Sequence, residues 1–129
     1  MTIAELEDKL PNGFHDSYLV SISADFASAT CCLEIDVDYD DPNPNVFRRM
    51  RLQLRGISFI AMEPPDPKDS LPVEGAIWIS GDPTSEKVLP DLKWYRKSAP
   101  PGAFFYSFFL RDRNAFIHLA ATDASLEHA

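Results

Sequence analysis

Cys32-Leu33-Glu34-Ile35-Asp36-Val37-Asp38-Tyr39-Asp40 and Phe47-Arg48-Arg49-Met50-Arg51-Leu52-Gln53-Leu54-Arg55, joined by Asp41-Pro42-Asn43-Pro44-Asn45-Val46, decide the fold. The first stretch alternates carboxylates with apolar side chains; the second alternates cations with apolar side chains. Successive strand residues face opposite sides, so each stretch has one apolar face and one charged face. The charges are opposite in sign, and a turn about residues 41 to 45 sets one stripe beside the other. The expected register places Asp38 opposite Arg49, Asp36 opposite Arg51 and Glu34 opposite Gln53. Such pairs contribute roughly 0.2–1 kcal/mol each when exposed.

Working upstream, Ser17 to Ser23 alternates again, with Tyr18, Val20, Ile22 and Phe26 on one face and serines on the other. A turn near Ala27-Ser28 pairs Val20 with Ile35 and Ile22 with Leu33, apolar on apolar. Ala-Ser is poor chemistry for a two-residue hairpin, which predicts a slightly longer loop. Before this strand, Thr2-Ile3-Ala4-Glu5 fits a capping box, Ile3, Leu6 and Leu10 recur at helical spacing, and Pro11-Asn12-Gly13 ends the pattern. A helix this short must be held by docking.

Downstream, residues 57 to 62 either extend the third strand or form a new one bent at Gly56. Residues 63 to 74 are a loop dense in proline and acid, and Gly75 to Ser80 reads as a short strand stopped by Gly81-Asp82-Pro83. Residues 93 to 97 fit either a strand or an ordered loop. Ala103 to Leu110 and Ala115 to Ala121 are strands around a four-residue loop, Arg111-Asp112-Arg113-Asn114. That register sets Phe108 opposite Ile117, Tyr106 opposite Leu119 and Ser107 opposite His118. The second face, with Phe105, Phe109, Phe116 and His118, is also mostly apolar, so this hairpin is expected to be covered on both sides. His128 falls in a fraying tail. The expectation is one domain, residues 1–129, of mainly antiparallel α+β type. One N-terminal helix and about six to eight strands form a curved sheet or two-layer sandwich.

Net charge is -8, with 45% apolar and 12% aromatic residues, which argues for a globular chain and against nucleic acid as partner. The charge is uneven: residues 1–46 carry ten Asp/Glu against Lys9, a balance of -9, and residues 47–129 carry a balance of +1. Cys31 and Cys32 are adjacent, point to opposite faces of a strand and suit free thiols in a reducing cytoplasm. A basic, apolar leader and a membrane-length apolar run are both missing from the pattern, so a cytoplasmic protein with no membrane partner is expected.

Catalytic and metal patterns fail on their spacing. Asp36-x-Asp38-x-Asp40 opens like a calcium loop, but Asp41 stands where glycine is required and Phe47 where the bidentate glutamate should be. His15-Asp16 lacks the further ligands of a metal centre, and a turn role suits it better. His118 beside Ser107 lacks a third orienting group and an oxyanion site in the sequence. The aromatic-basic run Trp94-Tyr95-Arg96-Lys97 is set against an acidic whole. No metal, cofactor or catalytic residue is assigned.

Gly13-Phe14-His15-Asp16 entering a meander, followed late by the Phe-Phe-Leu-x-Asp-x-Asn pattern at Phe108 to Asn114, resembles a set of small bacterial proteins, some grouped as immunity proteins of polymorphic toxin systems. The resemblance implies inhibition of a toxin by occlusion, often with acid facing a basic nuclease. The leading expectation is a non-enzymatic protein-binding module that meets a basic protein through Asp38, Asp40, Asp41, Asn43 and Asn45. One alternative is a small-ligand or enzymatic pocket lined by Trp78, Trp94, Tyr106 and His118. Another is a structural homodimer formed through the C-terminal hairpin.

Overall fold

The structure is a computed structural model and describes residues 1–39, 46–64, 68, 76–82 and 97–129. Thr2 caps α1 (Ile3–Glu7): its hydroxyl accepts from the Glu5 amide and the Glu5 carboxylate accepts from the Thr2 amide, the expected reciprocal box. Ile3 and Leu6 are buried, so docking holds this one-turn helix in place.

Among the described residues eight strands follow: β1 (Ser17–Asp25), β2 (Thr30–Asp38), β3 (Phe47–Arg55), β4 (Phe59–Met62), β5 (Ile77–Asp82), β6 (Phe104–Leu110), β7 (Ala115–Ala121) and β8 (Asp123–His128). They form one sheet, ordered β4-β7-β6-β5-β1-β2-β3-β8, in which every neighbouring pair is antiparallel. The fold is thus a small α+β domain dominated by antiparallel sheet. Among the described residues no helix is long and apolar enough to cross a membrane.

The charged hairpin forms with its faces as expected but slipped by two residues. Asp36 opposes Arg49, Glu34 opposes Arg51, and Asp38 opposes Phe47. A slip of two keeps every side chain on its own face, so alternation alone cannot exclude it. What fixes the register is the neighbourhood: Arg55 opposes Thr30, and the Ile57 amide donates to the Ala29 carbonyl, which levels β3 with the β1–β2 turn.

That turn spans Phe26 to Ala29. Asp25 accepts from the Ala27 and Ser28 amides, and Ala29 takes a φ of 54°. Ile22 opposes Leu33 as expected, but a bulge at Val20 makes Leu19, not Val20, the partner of Ile35. One extra residue flips the face, so Leu19 is buried and Tyr18 sits on the outer side against Phe47.

β8 is a further correction. His128 is not a fraying tail but pairs with Met50, while Leu126 and Ala124 complete the core opposite Leu52 and Leu54. The outer face gains a third rank of charge, with Glu127 opposite Arg51 and Asp123 opposite Arg55.

Gly56 bends the chain rather than extending β3. Its φ is 66°, and a Cβ there would lie 2.1 Å from the Thr122 hydroxyl. Thr122 donates its amide to the Arg55 carbonyl, and Ser58 donates to Ala120. Across this bend β3 leads into β4, and β7 leads into β8. Both edges of the sheet are therefore continuations of its interior strands. The buried apolar side chains of both halves, with Ile3, Leu6 and Phe14, form one cluster.

Candidate functional site

The acidic region is narrower than its sequence suggests. Asp38 is only 8% exposed; its Oδ2 accepts from Asn12 Nδ2 at 3.4 Å, and its Oδ1 has no partner among the described residues. It is a buried group, not the surface contact expected. Asp40, Asp41, Asn43 and Asn45 lie outside the described residues. Most other acids of the first third are occupied. Glu5 caps the helix, Glu7 accepts from the Tyr106 hydroxyl, and Asp16 pairs with Arg111. Asp36 makes a two-pronged bond with Arg49, which raises the arginine's affinity for its proton, and Glu34 lies 3.5 Å from Arg51.

Ser107 and His118 stand opposite each other as expected, with Oγ 2.6 Å from Nδ1. The structure supplies a third group that the sequence did not: Glu63 Oε2 lies 3.4 Å from His118 Nε2. Glu63 also accepts from the Phe116 amide through Oε1 and donates its own amide to the Phe116 carbonyl. The set has the composition of a hydrolytic triad, but Ser107 and His118 are each 1% exposed, and neither lines the hollows beside Ile22, Leu19 or Leu10. A nucleophile needs an approach path. In this geometry Glu63 and His118 fasten the end of β4 to β7.

Of the four residues expected to share a pocket, the three described ones, Trp78, Tyr106 and His118, point to different places. Tyr106 faces the core, where its hydroxyl donates to Glu7 Oε2 at 2.5 Å and packs over Gly81, at which a Cβ would lie 1.8 Å from it. His118, one strand over and one residue out of phase, faces the other side. Trp94 lies outside the described residues.

Trp78 belongs to a different cluster. Its indole N–H donates to Asp16 Oδ1 at 3.1 Å, the Arg111 guanidinium lies 4.3 Å above its ring, and Arg111 Nη1 also donates to Asp16 at 3.1 Å. The Trp78 amide donates to Asp112, and His15 Nδ1 is 3.5 Å from Arg111. The Gly-Phe-His-Asp entry and the Arg111-Asp112 turn, far apart in sequence, thus meet around one tryptophan. Asp16 holds a φ of 56° to reach it. Among the described residues no group of three acidic, histidine or cysteine side chains is placed to hold a metal.

The feature absent from the sequence reading is an apolar groove. One part, about 390 Å³, is lined by Ile22, Ala24, Phe26, Ile57 and Ile60 among others. A second, about 320 Å³, runs past Leu19, Ile77, Leu110 and Arg113. Ile22, Met62 and Ile117 line both. Phe26 is 87% and Met62 59% exposed at its rim. Their exposure is legible only once the bulge at Val20 and the bend at Gly56 are known. No family model, curated protein or solved structure matches the chain.

Proposed function

We propose that the chain is a non-enzymatic protein-binding module of the immunity type, which captures a basic protein through the acid that follows β2. The supporting observation is where the arginine ladder ends. Asp36 and Glu34 are matched by Arg49 and Arg51, whereas Asp38 opposes Phe47 and is buried against Asn12. Arg48, the next cation outward, is spent on the Tyr39 ring at 4.2 Å. Asp40 and Asp41 follow directly in sequence, past the last arginine in register. In sequence, residues 40 to 47 hold two acids and no cation; an acidic run creates a field that steers and holds a cationic partner, and salt weakens it.

The test is affinity capture from the native host at low and high salt. A basic protein should be retained at low salt, released at high salt, and lost from the double variant Asp40→Lys, Asp41→Lys. Equal capture by that variant, or no basic partner at either salt, would sink the reading. Asp38 is left untouched in this design, because a change there would disturb a buried bond rather than a surface.

A further inference from the structure

Two arginines leave the β6–β7 turn with opposite fates. Arg111 is stacked on Trp78 and bonded to Asp16. Arg113 faces the apolar groove, with its Nε buried and without a hydrogen-bond partner, and among the described residues it joins no ion pair. A buried N–H donor left unmatched is unfavourable, and the Arg113 Nε is such a donor at the edge of an apolar wall. The rest of the wall offers an anion little: Ser21 and Ser58 are its only other side chains bearing oxygen among the described residues. The groove therefore has one cationic end and an apolar length.

We propose that this groove binds an unbranched aliphatic carboxylate. Its head sits on the Arg113 guanidinium, and its tail lies past Ile22, Met62 and Ile117 toward Ala24 and Ile60. Charge complementarity at Arg113 selects a carboxylate over an alcohol or an amine of equal length. The apolar lining selects an aliphatic tail, and each of the two hollows, which share Ile22, Met62 and Ile117, falls at the lower end of the ordinary range of small-molecule sites. None of the observations behind this site enters the protein-binding reading, so it stands or falls independently of that reading.

Calorimetric titration of the full chain with decanoate, decanol and decylamine tests the assignment. Decanoate should bind saturably, decanol at least about tenfold more weakly, and decylamine more weakly still. Arg113→Ala should weaken decanoate about tenfold and leave decanol unchanged, with Arg113→Lys in between. Ala24→Trp, at an exposed rim position far from the head, should remove the advantage of dodecanoate over octanoate while sparing octanoate itself. That second variant decides the matter if Arg113→Ala alters the unfolding midpoint. Equal affinity for decanoate and decanol, full decanoate binding by a folded Arg113→Ala, or no saturable binding of any carboxylate overturns the proposal.

Discussion

The outer face of β2-β3-β8 and the outer face of β6-β7 belong to one sheet and back onto one core, yet they are stabilised by different means. On the first, arginines stand between acids of both neighbouring strands, as Arg51 does between Glu34 and Glu127, and the Arg51 side chain is 44% exposed. On the second, Ser107, His118 and Ala120 are buried, Phe109 stacks on Phe116 at 4.9 Å, and Phe116 stacks on His118 at 5.6 Å. Water competes for every bond on the first face and for hardly any on the second. Many charges therefore set register and solubility while adding little stability each, whereas a few buried polar groups on the hairpin add much.

The comparison can be broken most directly at His118. Replacing it with alanine removes a stacked ring and leaves Glu63 and Ser107 each short of one bond, with an expected loss of about 2–4 kcal/mol. Urea unfolding should show a lower midpoint with an unchanged slope. A loss near zero would mean that this face is no better sealed than the ladder. The matched change on the ladder is Arg51→Ala. It should lower stability by about 0.5 kcal/mol, and less in high salt, because Glu34 and Glu127 simply return to water. A salt-independent loss as large as that of His118→Ala would erase the distinction between the faces.

The same contrast explains what was legible in the sequence. Opposite charges on alternating strands announce the β2–β3 hairpin, but not its register, since a slip of two preserves both faces. The β6–β7 register was legible because a four-residue loop fixes it, and Tyr106 opposite Leu119 followed at once. The bulge at Val20 was hidden because Leu19 and Val20 are both apolar, so the pattern reads equally well through either. β8 was hidden because only Ala124 and Leu126 mark its inner face. Ser107 and His118 are cross-strand neighbours within one hairpin and were found; Glu63 is 55 residues from His118 and arrives through the bend at Gly56, which no local pattern encodes. The groove was invisible for the same reason, being assembled from β1, β4, β5, β6, β7 and the β6–β7 turn.

Cys31 and Cys32 sharpen the comparison at the scale of a single peptide bond. Cys31 points into the core and is 2% exposed; Cys32 points to the ladder face opposite Gln53. Burial, helped by the neighbouring Cys32 charge, pushes the Cys31 thiol from 9.0 up to about 11. Burial and Glu34 also raise Cys32, against the opposing pull of Arg51. Native protein treated with iodoacetamide near pH 8 should therefore carry the label on Cys32 first, and on Cys31 only after unfolding. The linkage has a definite sign. An acid whose folded pKa is raised holds its proton better in the folded chain, so its contribution is fully present below pH 9.0 and is lost as pH rises toward about 11. Cys31→Ala should flatten the fall in stability across that window, and Cys32→Ala should flatten it less. Identical alkaline slopes for the wild type and Cys31→Ala would show that the inner face admits water at β2 after all, and the contrast between the two faces would fail where it is built from adjacent residues.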